Sequence, residues 1–373
     1  MASWTPTEHR HMRRALQLAR RGQGRVEPNP MVGCVIARGA RVVAEGHHRR
    51  FGGPHAEVAA LDGADGPVKG ATVFVTLEPC AHQGKTPPCA DALIRAGVRR
   101  VVAAMRDPNP LVAGRGFRRL RAAGVAVSVG LLHEEARDLM APFVAYHLRR
   151  RPYVILKWAQ SIDGKIATRT GESKWISGPA SRREAHRLRA RVDAVVVGVE
   201  TVLADDPDLT AREAPRRRVA HRVILDAKLR TPLGARVVRT ARRAATLLVC
   251  GGAAPARRRR ALERLGCEVL AVPARSGRIR LDRLMAALHA RGMTNVLVEG
   301  GGCVLGAFVE AGLADEARIF VAPKLIGGET APGPLRQIGP AVLAQAPRWN
   351  LVRRRCFGVD VCYTMKRVSG AGG

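Results

Sequence analysis

The chain has 373 residues, 46% hydrophobic and 25% charged, the balance of a folded globular protein long enough for two domains. Basic residues outnumber acidic ones 63 to 31, all but eight of the 63 are Arg, and the formal charge is +32. There is no long basic tail, membrane-length apolar run or secretory apolar core, and eight Cys are too sparse for a disulfide scaffold; membrane and disulfide-rich secreted classes are excluded, and a reducing cytoplasm is expected.

In chain order, Thr7 reads as the cap of a helix with Met12, Ala15, Leu16 and Ala19 on one face and Gly22 as its stop. Val32–Ala37 and Arg41–Glu45 read as strands joined around Gly39, followed by a helix beginning near His55. Next come strand Ala71–Leu77, a Pro-rich loop, helix Cys89–Ala96, strand Arg100–Ala104, a helix after Gly116 and strand Val125–Val129. One helix is expected from His133 to Leu148, closed by Arg149–Arg151 and Pro152. This alternation predicts a layered α/β domain over residues 1–150.

From Tyr153 the alternation resumes. Strands are predicted at 154–159, 194–198, 222–226, 246–250, 267–272, 295–299 and 318–322, and helices at 179–191, 255–265, 282–291 and 302–311. A β-rich stretch, 349–364, ends this second α/β domain, residues 151–373, and Ser369–Gly373 reads as a frayed tail.

Three pieces in the first domain carry chemistry: His55-Ala56-Glu57, Pro79-Cys80 and Pro88-Cys89. A hydrolytic zinc site needs three protein ligands and an open position, which one His and two thiolates supply while neutralising the dication. Glu57, two residues from His55, can accept a proton from the attacking water and deliver it to a departing amine. The arrangement follows the zinc-deaminase pattern H-x-E…P-C-x-x-C, except that eight residues separate Cys80 from Cys89. In the second domain, strand 295–299 runs into Gly300-Gly301-Gly302-Cys303-Val304-Leu305-Gly306, where backbone N–H groups can approach a diphosphate. The spacing is not G-x-G-x-x-G, and tight helix–strand packing explains the same glycines.

Read whole, the run Thr76–Cys89, with Pro28-Asn29-Pro30-Met31-Val32-Gly33-Cys34, Gly46-His47-His48 and Asp107-Pro108-Asn109-Pro110, closely resembles the bifunctional deaminase/reductase of riboflavin biosynthesis. So do Lys157–Lys165, Gly171–Ser177 and Thr201–Thr210, and the resemblance spans nearly the whole chain. It implies a cytidine-deaminase-like three-layer domain followed by a dihydrofolate-reductase-like α/β domain. It further implies zinc on His55, Cys80 and Cys89, Glu57 as proton shuttle, and Asn29 and His48 lining a pyrimidine pocket, with His82 not assigned to the metal. In the second domain it implies NADPH held by Ala159, Trp175, Thr201, Asp205, Ala227, Gly300, Gly301, Gly302 and Gly306. A sugar phosphate would be held by Lys157, Ser173, Arg189, Leu209, Arg212 and Glu299. The family often has Ser where this chain has Ala227, a loss of one hydrogen bond worth roughly 0.5–1.5 kcal/mol.

The resulting expectation is zinc-dependent deamination of a small phosphorylated pyrimidine, then NADPH-dependent reduction of its ribosyl group, in a cytoplasmic homo-oligomer, dimer or tetramer, with no nucleic-acid or membrane partner. The competing reading is a nucleic-acid base deaminase, suggested by the charge and the shared zinc chemistry. Aromatics at 4% are few for stacking unpaired bases, and a hydride-transfer domain would have no purpose there. A regulatory protein on a dead deaminase fold is disfavoured because Glu57 and all three ligands are present.

Overall fold

The computed structural model describes residues 4–82, 87–215, 217–275, 277–336 and 339–368; the expected tail Ser369–Gly373 and residues 83–86 of the Cys80–Cys89 loop lie outside them. The chain divides into two compact units, Met1–Arg151 and Pro152–Gly373.

In the first unit the elements are α1 (Pro6–Ala19), β1 (Gly33–Arg38), β2 (Arg41–His47), α2 (Ala56–Asp62), β3 (Thr72–Val75), α3 (Cys89–Arg95), β4 (Arg100–Ala103), α4 (Arg115–Ala122), β5 (Ala126–Val129), α5 (His133–Leu139) and α6 (Ala141–Leu148). The sheet order is β2-β1-β3-β4-β5, with β1 antiparallel to β2 and β3, and β3, β4 and β5 parallel. The two-residue alternation of a strand makes the layers. Cys34 and Ile36 of β1 join Ala56, Ala60, Leu93 and Phe117 on one face, while Val35 and Ala37 join Met12, Leu16, Met140 and Phe143 on the other.

Two expectations are corrected here. Thr5, not Thr7, caps α1: its hydroxyl accepts from Glu8 N–H, Glu8 reaches back to Thr5 N–H, and Pro6 occupies the first turn. The single helix 133–148 is two, broken at Met140, because Pro142 cannot donate to the preceding turn.

The second unit contains β6 (Tyr153–Ser161), α7 (Pro179–Arg189), β7 (Ala194–Gly198), α8 (Val199–Asp205), β8 (His221–Leu225), α9 (Arg236–Arg239), β9 (Thr246–Cys250), α10 (Ala256–Arg264) and β10 (Glu268–Ala271). The two-residue strands β11 (Ala274–Arg275) and β12 (Arg278–Ile279) follow, then α11 (Leu281–Ala290), β13 (Asn295–Val298), α12 (Gly302–Glu310), β14 (Glu316–Ala322), β15 (Trp349–Phe357) and β16 (Asp360–Arg367). The short helices α8 and α9 were not foreseen: α8 follows β7 without a turn residue between them. Nine strands run in the order β10-β9-β8-β7-β13-β6-β14-β16-β15. All pairs from β10 to β14 are parallel, and β16 and β15 close the sheet as an antiparallel hairpin. The continuous apolar strand β7, Ala194-Val195-Val196-Val197-Gly198, is buried throughout, as a central parallel strand must be. Ligands of such sheets bind beyond the carboxyl ends of the strands, and this is where Lys157 of β6, Thr201 and Asp205 of α8 after β7, and Glu299 after β13 gather.

Two candidate active sites

The first site is built on helix starts. His55 is the cap of α2, Glu57 lies in its first turn, and Cys89 is the first residue of α3. Cys80 follows β3 on a segment pinned by the buried carboxylate of Glu78, which accepts from the backbone N–H groups of Asp107, Gly114, Gly116 and Phe117 at 2.8–3.3 Å. Any side chain at Gly116 would run into Pro79 O, with its Cβ 1.8 Å away, so α4 can dock on this segment only through glycine.

His55 Nδ1 lies 3.2 Å from Cys89 Sγ and 3.6 Å from Cys80 Sγ, and the three donor atoms fall within 4.8 Å of one another. Tetrahedral zinc with ordinary bond lengths holds N and S ligands about 3.6 Å apart, so the trio fits that ion. The Cys89 thiol, His55 and Cys89 N–H stabilise the Cys80 thiolate and hold its pKa at about 4. Glu57 is buried, and burial together with the Cys80 charge pushes its pKa up to about 7.

Asn29 and His48 line the same cavity, about 380 Å³ in volume. His48 Nδ1 lies 2.9 Å from Pro54 O, so it carries the proton; Nε2 then accepts from Asn29 Nδ2 at 3.3 Å, which leaves the Asn29 Oδ1 acceptor uncommitted to His48. His82 lines the cavity without joining the ligand trio. Sequence reasoning missed Asp107 and Asn109 as lining residues, although they lie in the Asp107-Pro108-Asn109-Pro110 motif, and it missed the α6 wall of Phe143, Tyr146 and His147. The i, i+3, i+4 spacing of those three rings was the available signal.

The second site is a cavity of about 760 Å³ in the second unit. It gathers Lys157 and Ala159 from β6, Ser173 and Trp175 from the following loop, Arg189 from α7, and Thr201 and Asp205 from α8. Leu209, Arg212, Glu299, Gly300 and Gly301 complete it. Trp175 is 60% exposed with the Arg182 guanidinium 4.6 Å above its ring, so it belongs to the cavity rather than the core. Arg189 clasps Glu299 Oε2 through Nε and Nη2, whereas the buried Glu299 Oε1 has no partner among the described residues. Burial opposes the Glu299 charge, but Arg189 and Lys157 outweigh it and hold the pKa below the usual range; burial pulls Lys157 down.

Three expected cofactor residues fall elsewhere. A Cβ on Gly302 would lie 2.8 Å from Gly333 O, and one on Gly306 would lie 2.2 Å from Arg336 O. These glycines therefore let α12 pack against residues 333–336. Gly301 has nothing within 4 Å of a Cβ and faces the cavity at the helix start, a cradle that fits a dinucleotide's diphosphate. Ala227 lines a second cavity, about 400 Å³, with Val199, Lys228 and Cys303.

Residues 5–105 match the family profile described as the cytidine and deoxycytidylate deaminase zinc-binding region, and residues 152–363 match the RibD C-terminal domain. The riboflavin biosynthesis protein RibD of Actinobacillus pleuropneumoniae is 42% identical over 357 residues, covering 96% of this chain and 94% of its own. That of Escherichia coli K12 is 43% identical over 359 residues, covering 94% and 97%. The chain belongs to the RibD family. A solved structure of Acinetobacter baumannii RibD superposes with a TM-score of 0.86 at 37% identity, covering 97% of this chain and 99% of that one. The Thermotoga maritima diaminohydroxyphosphoribosylaminopyrimidine deaminase/5-amino-6-(5-phosphoribosylamino)uracil reductase gives 0.84 at 35% identity, covering 97% and 99%. As a member of this family, the chain is a bifunctional enzyme of riboflavin biosynthesis acting on small molecules, with a cytidine-deaminase-like zinc-binding domain and a dihydrofolate-reductase-like, NADPH-using domain. Among the described residues no helix is long and apolar enough to cross a membrane.

Proposed function

We propose that residues 1–150 deaminate 2,5-diamino-6-ribosylamino-4(3H)-pyrimidinone 5′-phosphate and residues 151–373 reduce the product's ribosyl group to ribityl, giving 5-amino-6-(5-phosphoribitylamino)uracil. The observation that carries this reading is the convergence of His55, Cys80 and Cys89 beside the buried carboxylate of Glu57 in a cavity sized for a small ligand.

His55, Cys80 and Cys89 hold zinc. Bound there, zinc lowers the pKa of a water at its open position and polarises the group under attack. Glu57 does the proton work: its carboxylate takes a proton from the attacking water and gives it to the ring nitrogen, then takes the proton of the newly added hydroxyl and delivers it to the departing amine, so that ammonia leaves and a ring carbonyl remains. Asn29 Oδ1 accepts from a pyrimidine N–H, with its amide nitrogen committed to His48. The ring sits against Phe143 and Tyr146.

In the reductase, NADPH supplies the hydride. Gly300 and Gly301 admit its diphosphate, and Ala159, Trp175, Thr201 and Asp205 line its path. Gly302 and Gly306 support it through the packing of α12. Glu299 Oε1, without a partner among the described residues, accepts from a sugar hydroxyl, and Lys157 carries its proton near the reacting carbon. Arg189, Arg212, Ser173 and the Leu209 backbone fix the sugar phosphate. Ala227 contacts the far end of the cofactor from the second cavity. The enzyme works in the cytoplasm as a homo-oligomer, dimer or tetramer; the exposed Leu351, Val352 and Val359 on the β15–β16 hairpin support association. Metal analysis with product identification, with and without NADPH, tests the reading: ammonia release should need zinc alone, and ribityl formation should need NADPH.

A further inference from the structure

The loop from Asp206 to Arg212 carries two side-chain-bearing residues in left-handed backbone, Asp206 at φ +40° and Leu209 at φ +60°. Such a loop keeps its shape only if it is anchored. From α7, His186 Nδ1 accepts from Arg212 N–H at 3.4 Å and Arg189 reaches Thr210 O at 3.5 Å. From the sheet the anchor is Arg222 of β8, an Arg without exposed surface, followed by the apolar run Val223-Ile224-Leu225. Its Nη2 donates to Val237 O at 3.0 Å and Ala244 O at 2.6 Å, and its Nη1 to Thr240 Oγ1 at 2.7 Å and Asp208 O at 3.3 Å. Nη1 also stands 3.8 Å from Asp208 Oδ1, while Asp208 Oδ2 faces Arg212 Nη1 at 3.6 Å.

One carboxylate is therefore shared between a buried guanidinium and a half-exposed one at the cavity. Burying a cation is unfavourable unless it is paired, and an aliphatic side chain would fill the same space on β8. The three acceptors Val237 O, Ala244 O and Thr240 Oγ1 fix the guanidinium on its inner side; Nε has no partner among the described residues, and Nη1 reaches out to Asp208. We infer that Arg222 is a positioning residue of the reductase, holding the Asp208 carboxylate so that Asp208 aims Arg212 at the substrate phosphate. The inference rests on the reading of Arg212 as a phosphate clamp. Arg222 itself is out of contact with ligand.

Steady-state reductase kinetics on the full chain, with deaminated sugar phosphate and NADPH varied separately, test it. Asp208→Asn should raise KM for the sugar phosphate about tenfold, the scale of one charge-assisted contact, with KM for NADPH and the deaminase rate unchanged. The sign is diagnostic: a carboxylate that only placed negative charge beside the cavity would repel phosphate, and its removal would lower KM. Arg222→Lys keeps the charge with fewer donors and should raise the same KM by a smaller factor than Arg222→Met. Combining Arg222→Met with Asp208→Asn should add little to either. A purely structural Arg222 would lower Tm without moving KM, and that result overturns the inference, as does an unchanged or lowered KM in Asp208→Asn. If the Arg222 variants fail to fold, the sign of the Asp208→Asn effect decides. Arg212→Ala in the same series separates the two readings. An unmoved KM there removes the clamp itself, whereas a raised KM there with no effect of Asp208→Asn removes only the relay.

Discussion

In the first unit the reactive groups come from helix starts and a segment pinned by backbone hydrogen bonds to Glu78, all within 35 residues of sequence (His55 to Cys89). In the second they come from strand ends, helices α7 and α8 and two loops spread from Lys157 to Gly301, and its charged side chains pair with one another, Arg189 with Glu299 and Arg212 with Asp208. The first is a small preformed cage for an ion and a flat ring. The second is a wider trough whose shape depends on ion pairs among Arg189, Glu299, Asp208 and Arg212. Deamination should therefore fail abruptly when one atom is changed, whereas reduction should degrade gradually, with substrate and cofactor affinity affected separately.

The largest effect should come from the cage. Glu57→Gln should retain zinc yet lose deaminase turnover by at least about 10²-fold, because an amide cannot shuttle the proton. Ammonia release and zinc content, measured on the same preparation, check this, and reductase activity on supplied deaminated substrate should persist. A Glu57→Gln protein without zinc would make Glu57 a ligand instead.

In the trough, Arg212→Ala should raise KM for the sugar phosphate about tenfold and leave KM for NADPH in place, since the half-exposed guanidinium contributes one screened charged contact. Gly301→Val should do the reverse, raising KM for NADPH by about the same factor, because its side chain has room in the protein and intrudes only on the cavity. Gly302→Val sharpens the contrast. Its Cβ meets Gly333 O, so it should cost about 1–3 kcal/mol in stability, read as a lowered Tm, before any specific kinetic effect. The smallest change expected is from Ala227→Ser, which adds one hydroxyl in the second cavity and should improve NADPH affinity by about 1 kcal/mol or less.

The same contrast governs how much could be read from sequence. His55, Glu57, Cys80 and Cys89 were legible because metal chemistry demands those residue types and their helix-start context is a local signal. The alternation of strands with helices along the chain likewise exposed the layers. The glycine run after β13 was ambiguous: only the packing of residues 333–336 against α12 separates Gly301, which faces the cavity, from Gly302 and Gly306, which do not. Asp208 and Arg222 meet through the fold at a sequence separation that no local pattern encodes. The break at Met140, by contrast, was available in Pro142, and the Thr5 cap in its spacing to Glu8.

The central claim is that one chain houses two separable chemistries, the first resting on His55, Cys80 and Cys89. The most direct measurement is product analysis on the full chain after zinc removal, with NADPH present and each unit's substrate supplied in turn. Ammonia release should vanish and return on adding one equivalent of zinc, while ribityl formation from deaminated substrate continues throughout. Full-rate deamination by metal-free protein, or loss of both activities together from a chain that remains folded, would contradict the account.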